Sequence, residues 1–139
     1  MTQPTSFRRF PDAAKTIAKI LEPLVPATAK GPRVGTRTPT DLTGFMPFIR
    51  VVRDGGPSDT VNDYARLYVD VFSDSTSAAE QLSEQIREKL TGERLRLGRA
   101  VVDSVDCTNG PTELPPWAPG INRFESRYTV VFRRYTVPA

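Results

Sequence analysis

Histidine is absent from all 139 residues, which removes the commonest proton shuttle at neutral pH. Ser-His-Asp and Cys-His nucleophile pairs and His-ligated zinc sites are excluded with it. The single cysteine, Cys107, cannot form an intrachain disulfide and leaves no thiolate cluster for a metal. Its strand-like surroundings predict a buried, inert thiol. No apolar run approaches the ~20 residues of a membrane span, and Met1 to Phe10 hold no signal-like apolar core. This pattern predicts a protein made and kept in a cytoplasm, or leaving it inside a larger particle. There is no internal repeat and no low-complexity tail.

What the chain does have is proline and glycine, 13 and 9 of them, which predict long ordered connections around a compact core. The length suits one domain, residues 1–139, able to bury roughly two thirds of its unfolded surface. The formal charge of +3 arises from 19 basic and 16 acidic side chains spread along the sequence. A balance this mild does not by itself indicate a nucleic-acid partner.

The first helix is expected from Pro11 or Asp12, where proline suits the first turn and Asp can cap it. Ile17, Ile20, Leu21 and Leu24 give an apolar stripe at helical spacing, and Pro23 and Pro26 end the helix near Glu22. Arg33 to Thr38 suggests a short edge strand. Pro47 to Arg53 is a clearer one, with Ile49 and Val51 on one face and Phe48, Arg50 and Val52 on the other. Asp54-Gly55-Gly56-Pro57 stops it. From Tyr64 to Ser73, Leu67, Val69 and Val71 share a core face, while Arg66, Tyr68, Asp70 and Phe72 line the opposite one. This second set mixes aromatics with charges, which suits partial cover by another protein chain.

Ser77 and Glu80 have capping-box spacing, with Ser75 or Asp74 as alternative caps, for a second helix running to about Leu90. Its stripe is Ala79, Leu82, Ile86 and Leu90. Val101 to Cys107 is a strand, the Pro-rich stretch from Asn109 to Gly120 a loop, and Phe124 to Tyr135 a long last strand. The sum is an α+β domain in the order α-β-β-β-α-β-β, with two helices packed on one face of a mostly antiparallel mixed sheet of about four to five strands. A crossover from the Tyr64 strand through the second helix to the Cys107 strand would make that pair parallel.

Three features bear on function. The Asp54 to Asp59 loop has the glycines of a phosphate cradle but no Gly-x-x-x-x-Gly-Lys pattern and no helix directly after it. It is either a plain hairpin connection or an exposed arm that touches a neighbour. Trp117, flanked by Pro115, Pro116 and Pro119, sits on a stiffened segment; it either folds back on its own domain or docks into a partner with little entropy to lose. Arg50, Arg53, Arg66, Arg123, Arg127, Arg133 and Arg134 could form a stripe for a polyanion. Interleaved Asp54, Asp70 and Glu125 favour cross-strand ion pairs instead. These readings make Arg53, Asp54, Gly55, Gly56, Pro57, Arg66, Tyr68, Asp70 and Trp117 the candidate contact residues, with no catalytic, cofactor-binding or metal site expected.

The series Asp41-Leu42, Met46 to Arg53, Gly55-Gly56-Pro57 and Tyr68 to Phe72 resembles the small tail terminator proteins of long-tailed (siphovirus-type) actinobacterial phages. The resemblance continues through the helix from Ala78 to Leu90, Val102 to Val105, Gly110-Pro111, Leu114-Pro115, Gly120, Arg123-Phe124 and Tyr128. No single block is chemically unique, so order and spacing carry the likeness. It implies a non-enzymatic structural subunit of the virion tail-neck, assembled in the bacterial host cytoplasm into a ring, usually a hexamer. Such a ring ends tail elongation and joins the tail tube protein to the head-tail connector protein while genomic DNA passes through its lumen. It needs no cofactor, membrane or small-molecule substrate. Another neck or tail ring protein, a connector or tube subunit, would share this logic. A monomeric α+β nucleic-acid-binding module is the competitor from a different class.

Overall fold

The computed structural model describes residues 6–92 and 94–138; the expectation for Met1 to Thr5 lies outside them. In chain order the elements are β1 (Ser6–Arg9), α1 (Ala13–Leu21), β2 (Val34–Gly35), β3 (Phe48–Arg53) and β4 (Asn62–Ser73). They continue with α2 (Thr76–Gly92), β5 (Arg96–Leu97), β6 (Ala100–Ala118), β7 (Ile121–Arg133) and β8 (Tyr135–Pro138). The fold is α+β with a mostly antiparallel mixed sheet, as the sequence predicts. Strand number and order differ: a six-stranded sheet ordered β2-β3-β4-β7-β6-β5 stands beside a separate β1–β8 ladder. The segments before α1 and after Arg134 supply that ladder, each too short to show a period of its own.

Asp12 caps α1, its carboxylate accepting the Lys15 N–H at 3.1 Å. The helix ends into a 3-10 turn at Glu22–Leu24, where Pro23 removes a donor. Ser75, not Ser77, caps α2: its hydroxyl accepts the Ala78 N–H at 3.2 Å. Ser77 lies inside the helix, so the Ser77–Glu80 box does not form.

Both helices lie on one face of the sheet, α1 against β2 and β3, α2 against β4, β6 and β7. Between them and the strands are Ile17, Leu21, Ile49, Val51, Leu67, Val69, Val71, Ile86, Leu90, Val130 and Phe132, all within one buried cluster. Each large side chain so buried contributes about 1.5–3 kcal/mol relative to exposure. The alternation read from the sequence therefore assigns these faces correctly.

Two connections depart from expectation. The parallel pair is β2 with β3; β4 and β6 point the same way but β7 lies between them, antiparallel to both. The stretch from Asn109 to Ala118 is also not a loop. It continues β6 alongside β7 as one long hairpin turning at Pro119-Gly120, where Gly120 takes a φ of +79°. The prolines fit because register shifts bracket them, one between Asn109 and Thr112 and another between Leu114 and Ala118. A residue without an N–H is tolerated at a bulge or on an edge.

Candidate functional site

The helix-free face of β3, β4 and β7 is a grid fixed by register. Phe48, Phe72 and Arg123 form one row, Arg50, Asp70 and Glu125 the next, and Val52, Tyr68 and Arg127 a third. At the Phe48 end the protein's own chain folds over it. Leu42, Phe48, Phe72 and Ile121 make a second buried cluster with Phe45, Met46 and Ala118 against it. This end of the face is thus covered by the protein's own chain rather than by a partner.

Asp70 is the hub of the grid, with 2% of its side chain exposed. Its Oδ2 accepts from Arg50 Nη2 at 2.7 Å and Nε at 3.1 Å. Its Oδ1 accepts from Nε and Nη2 of Arg123, both at 3.3 Å. Arg123 also reaches Glu125 at 3.3 Å, and Arg127 binds the other oxygen of Glu125 at 3.2 Å. Arg50 spends a further donor on Thr38 Oγ1 at 2.8 Å. The partly buried series Arg50–Asp70–Arg123–Glu125–Arg127 alternates in charge and so satisfies each ion locally, as such burial requires.

Trp117 stands at one end of this row. The guanidinium carbons of Arg50 and Arg123 lie 5.1 and 5.3 Å from its ring centroid, and Phe72 meets it edge-on at 5.4 Å. It nonetheless keeps 45% of its surface exposed. The ring is thus gripped by its own domain, with nearly half of its surface exposed. At the other end Arg127 lies 4.5 Å over the Tyr68 ring, and Tyr68 donates its hydroxyl to Asp54 at 2.5 Å. Holding the proton against that carboxylate raises the Tyr68 pKa.

The Gly-Gly loop runs back along β4. Asp54 N–H donates to Arg66 O at 2.7 Å, Arg66 N–H to Gly55 O at 3.1 Å, and Tyr64 N–H to Pro57 O at 2.9 Å. Gly56 is obligatory there: its φ is +111°, and a Cβ would meet Tyr64 O at 1.9 Å. Arg66 stays exposed on the helix-free face. Arg53 does not share that face. It belongs to the Ile49 and Val51 set, and its guanidinium binds buried Asp63 through two bonds of 2.7 Å, which raise the Arg53 pKa.

Of the predicted contact residues, the structure brings together Asp54, Tyr68, Asp70 and Trp117 in one ladder, sets Gly55, Gly56, Pro57 and Arg66 beside it, and commits Arg53 to Asp63 on the other face, with its Nε on Gly55 O at 3.1 Å. Arg123, Glu125 and Arg127 complete the ladder. Their period-two spacing was visible, and cross-strand ion pairs were expected of Asp54, Asp70 and Glu125: Asp70 forms them with Arg50 and Arg123, but Glu125 pairs along its own strand with Arg123 and Arg127 and Asp54 accepts the Tyr68 hydroxyl instead. Thr38, read as the end of an edge strand that in fact spans Val34–Gly35, carried no signal of this role.

Cys107 is half-buried rather than buried, placed opposite Tyr128 on the helix side. Burial pushes the Tyr128 hydroxyl far above its ordinary pKa. Among the described residues no group of three or more acidic or thiol side chains could hold a metal ion, and no helix is long and apolar enough to cross a membrane. No protein-family model matches the chain, and a search of curated proteins found no match.

Proposed function

We propose that the chain is a structural ring subunit that terminates a phage tail tube and offers the surface for joining the head. The observation that supports this most is where the resemblance-bearing blocks fall. Met46 to Arg53, Tyr68 to Phe72, and Arg123, Phe124 and Tyr128 are far apart in sequence but occupy the adjacent strands β3, β4 and β7. Their alternate residues build the core face and, on the other side, a face whose Asp70, Glu125, Arg50, Arg123 and Arg127 charges are paired with one another and whose rim presents a rigidly held, half-exposed tryptophan. That combination suits protein contact: an aromatic anchor fixed before docking loses little entropy on binding. In this reading Trp117, Arg66 and the Asp54 to Pro57 turn meet a neighbouring subunit or the tube, and DNA passes through the lumen.

Deleting the gene from its phage and imaging the lysate tests the reading. Tailless, DNA-filled heads together with tails of uncontrolled length are the expected result. Normal-length tails detached from heads would reassign the protein to a connector, and intact virions would refute both roles.

A further inference from the structure

On the helix-bearing side of the sheet, with no residue of the Asp70 ladder in its lining, a groove of about 530 Å³ opens between α1, the β5–β6 turn and the β1–β8 ladder. Its walls carry four cations from three separated parts of the chain: Arg9 of β1, Lys15 and Lys19 of α1, and Arg99 before β6. Among the described residues of the lining the one carboxylate is Asp12, already engaged in capping α1. Arg9 and Arg99 each spend a donor on a main-chain oxygen, of Phe10 and Thr136 respectively, both at 3.1 Å. Those bonds hold the guanidiniums in place and leave further donors to the groove. Lys19 pairs with Glu22 only loosely, at 3.7 Å with both side chains about half exposed, a contact worth little in water. Tyr135, half-buried, supplies an aromatic surface in the same lining.

We infer that this groove binds the phosphodiester backbone of a nucleic-acid strand. Clefts lined by one sign of charge focus the field and concentrate counter-charge. The net charge of the whole chain conceals this, because Arg50, Arg53, Arg123, Arg127 and Arg133 of the sheet are paired with Asp63, Asp70, Asp103 and Glu125, whereas among the described residues the four groove cations are offset only by the loose Glu22 contact of Lys19 and by the capping carboxylate of Asp12. Lys15 and Lys19 are one helical turn apart and so face the same wall, opposite Arg9 and Arg99. A basic track with an aromatic ring along it is the arrangement by which strands are held without base readout. An acidic protein segment would find the same charges, but the tyrosine favours a ligand with π faces. The inference stands apart from the tail-terminator reading, and either can fail alone.

Fluorescence polarisation of the full chain with a labelled oligonucleotide, single-stranded and duplex, supplies the test. Binding should weaken steeply with salt. The double variant Lys15→Gln/Lys19→Gln, on an exposed helix face, should lose about tenfold in affinity and flatten the log-log salt slope by roughly one to two units. Lys30→Gln, an exposed cation elsewhere, should bind like the parent. No binding at low salt, equal binding by the double variant, or a poly-glutamate peptide binding the groove more tightly than the oligonucleotide would overturn the proposal.

Discussion

Asp70 holds two guanidiniums with one carboxylate, and its neighbours depend on both. Removing its charge strands Arg50 and leaves Arg123 with Glu125 alone, and the two guanidinium side chains are only 16% and 21% exposed. Asp70→Asn should therefore cost about 2–4 kcal/mol, less than a wholly buried pair would. Urea titration measures it, and Trp117, as the single tryptophan, reports the loosened platform through its emission. An unchanged midpoint together with unchanged emission would show that the ladder does not hold Trp117. At this scale the sequence made Asp70 and Arg50 visible as charges beside aromatics on the faces opposite the core. It could not pair them, because a one-residue change of register would have offered each a different partner.

Among the elements, the β3–β4 connection and the β6–β7 hairpin depend most on their turn and bulge chemistry. Gly56→Ala must resolve a 1.9 Å clash with Tyr64 O as well as an unfavourable φ. A loss of about 2–3 kcal/mol or more is expected. Gly55→Ala, with φ +66° and only the end of Arg66 nearby, should cost about 1 kcal/mol. Thermal or urea unfolding of the two variants side by side checks the order, and equal losses would contradict the close-approach argument. Helices, their stripes and the faces of β3, β4 and β7 were legible because burial on one side imposes a period. The outer half of β6 was not. Its prolines and glycine signal a loop, and only its position at the rim of the sheet, with bulges to absorb the missing donors, lets it extend as a strand.

For the whole molecule, the question is whether the ladder face meets another protein. Trp117→Ala removes an exposed ring that also packs on Phe72 and two arginines. Sedimentation of the purified variant, alone and with tail tubes, should show assembly lost while the fold is weakened by only about 1 kcal/mol. Intact assembly with lowered stability would make Trp117 a purely internal support.

By itself the sequence determined the fold class, the two helical stripes and the two sides of the central strands, because these follow from local periodicity. It also excluded histidine chemistry by composition alone. Tertiary structure decided what depends on contacts between distant segments: the insertion of β7 between β4 and β6, the β1–β8 ladder and the pairing of Asp70 with two arginines. The same holds for the gathering of Arg9, Lys15, Lys19 and Arg99 around one groove. The physical reason is that periodicity is set within a few residues, whereas strand order, register and local charge density are set by which segments meet.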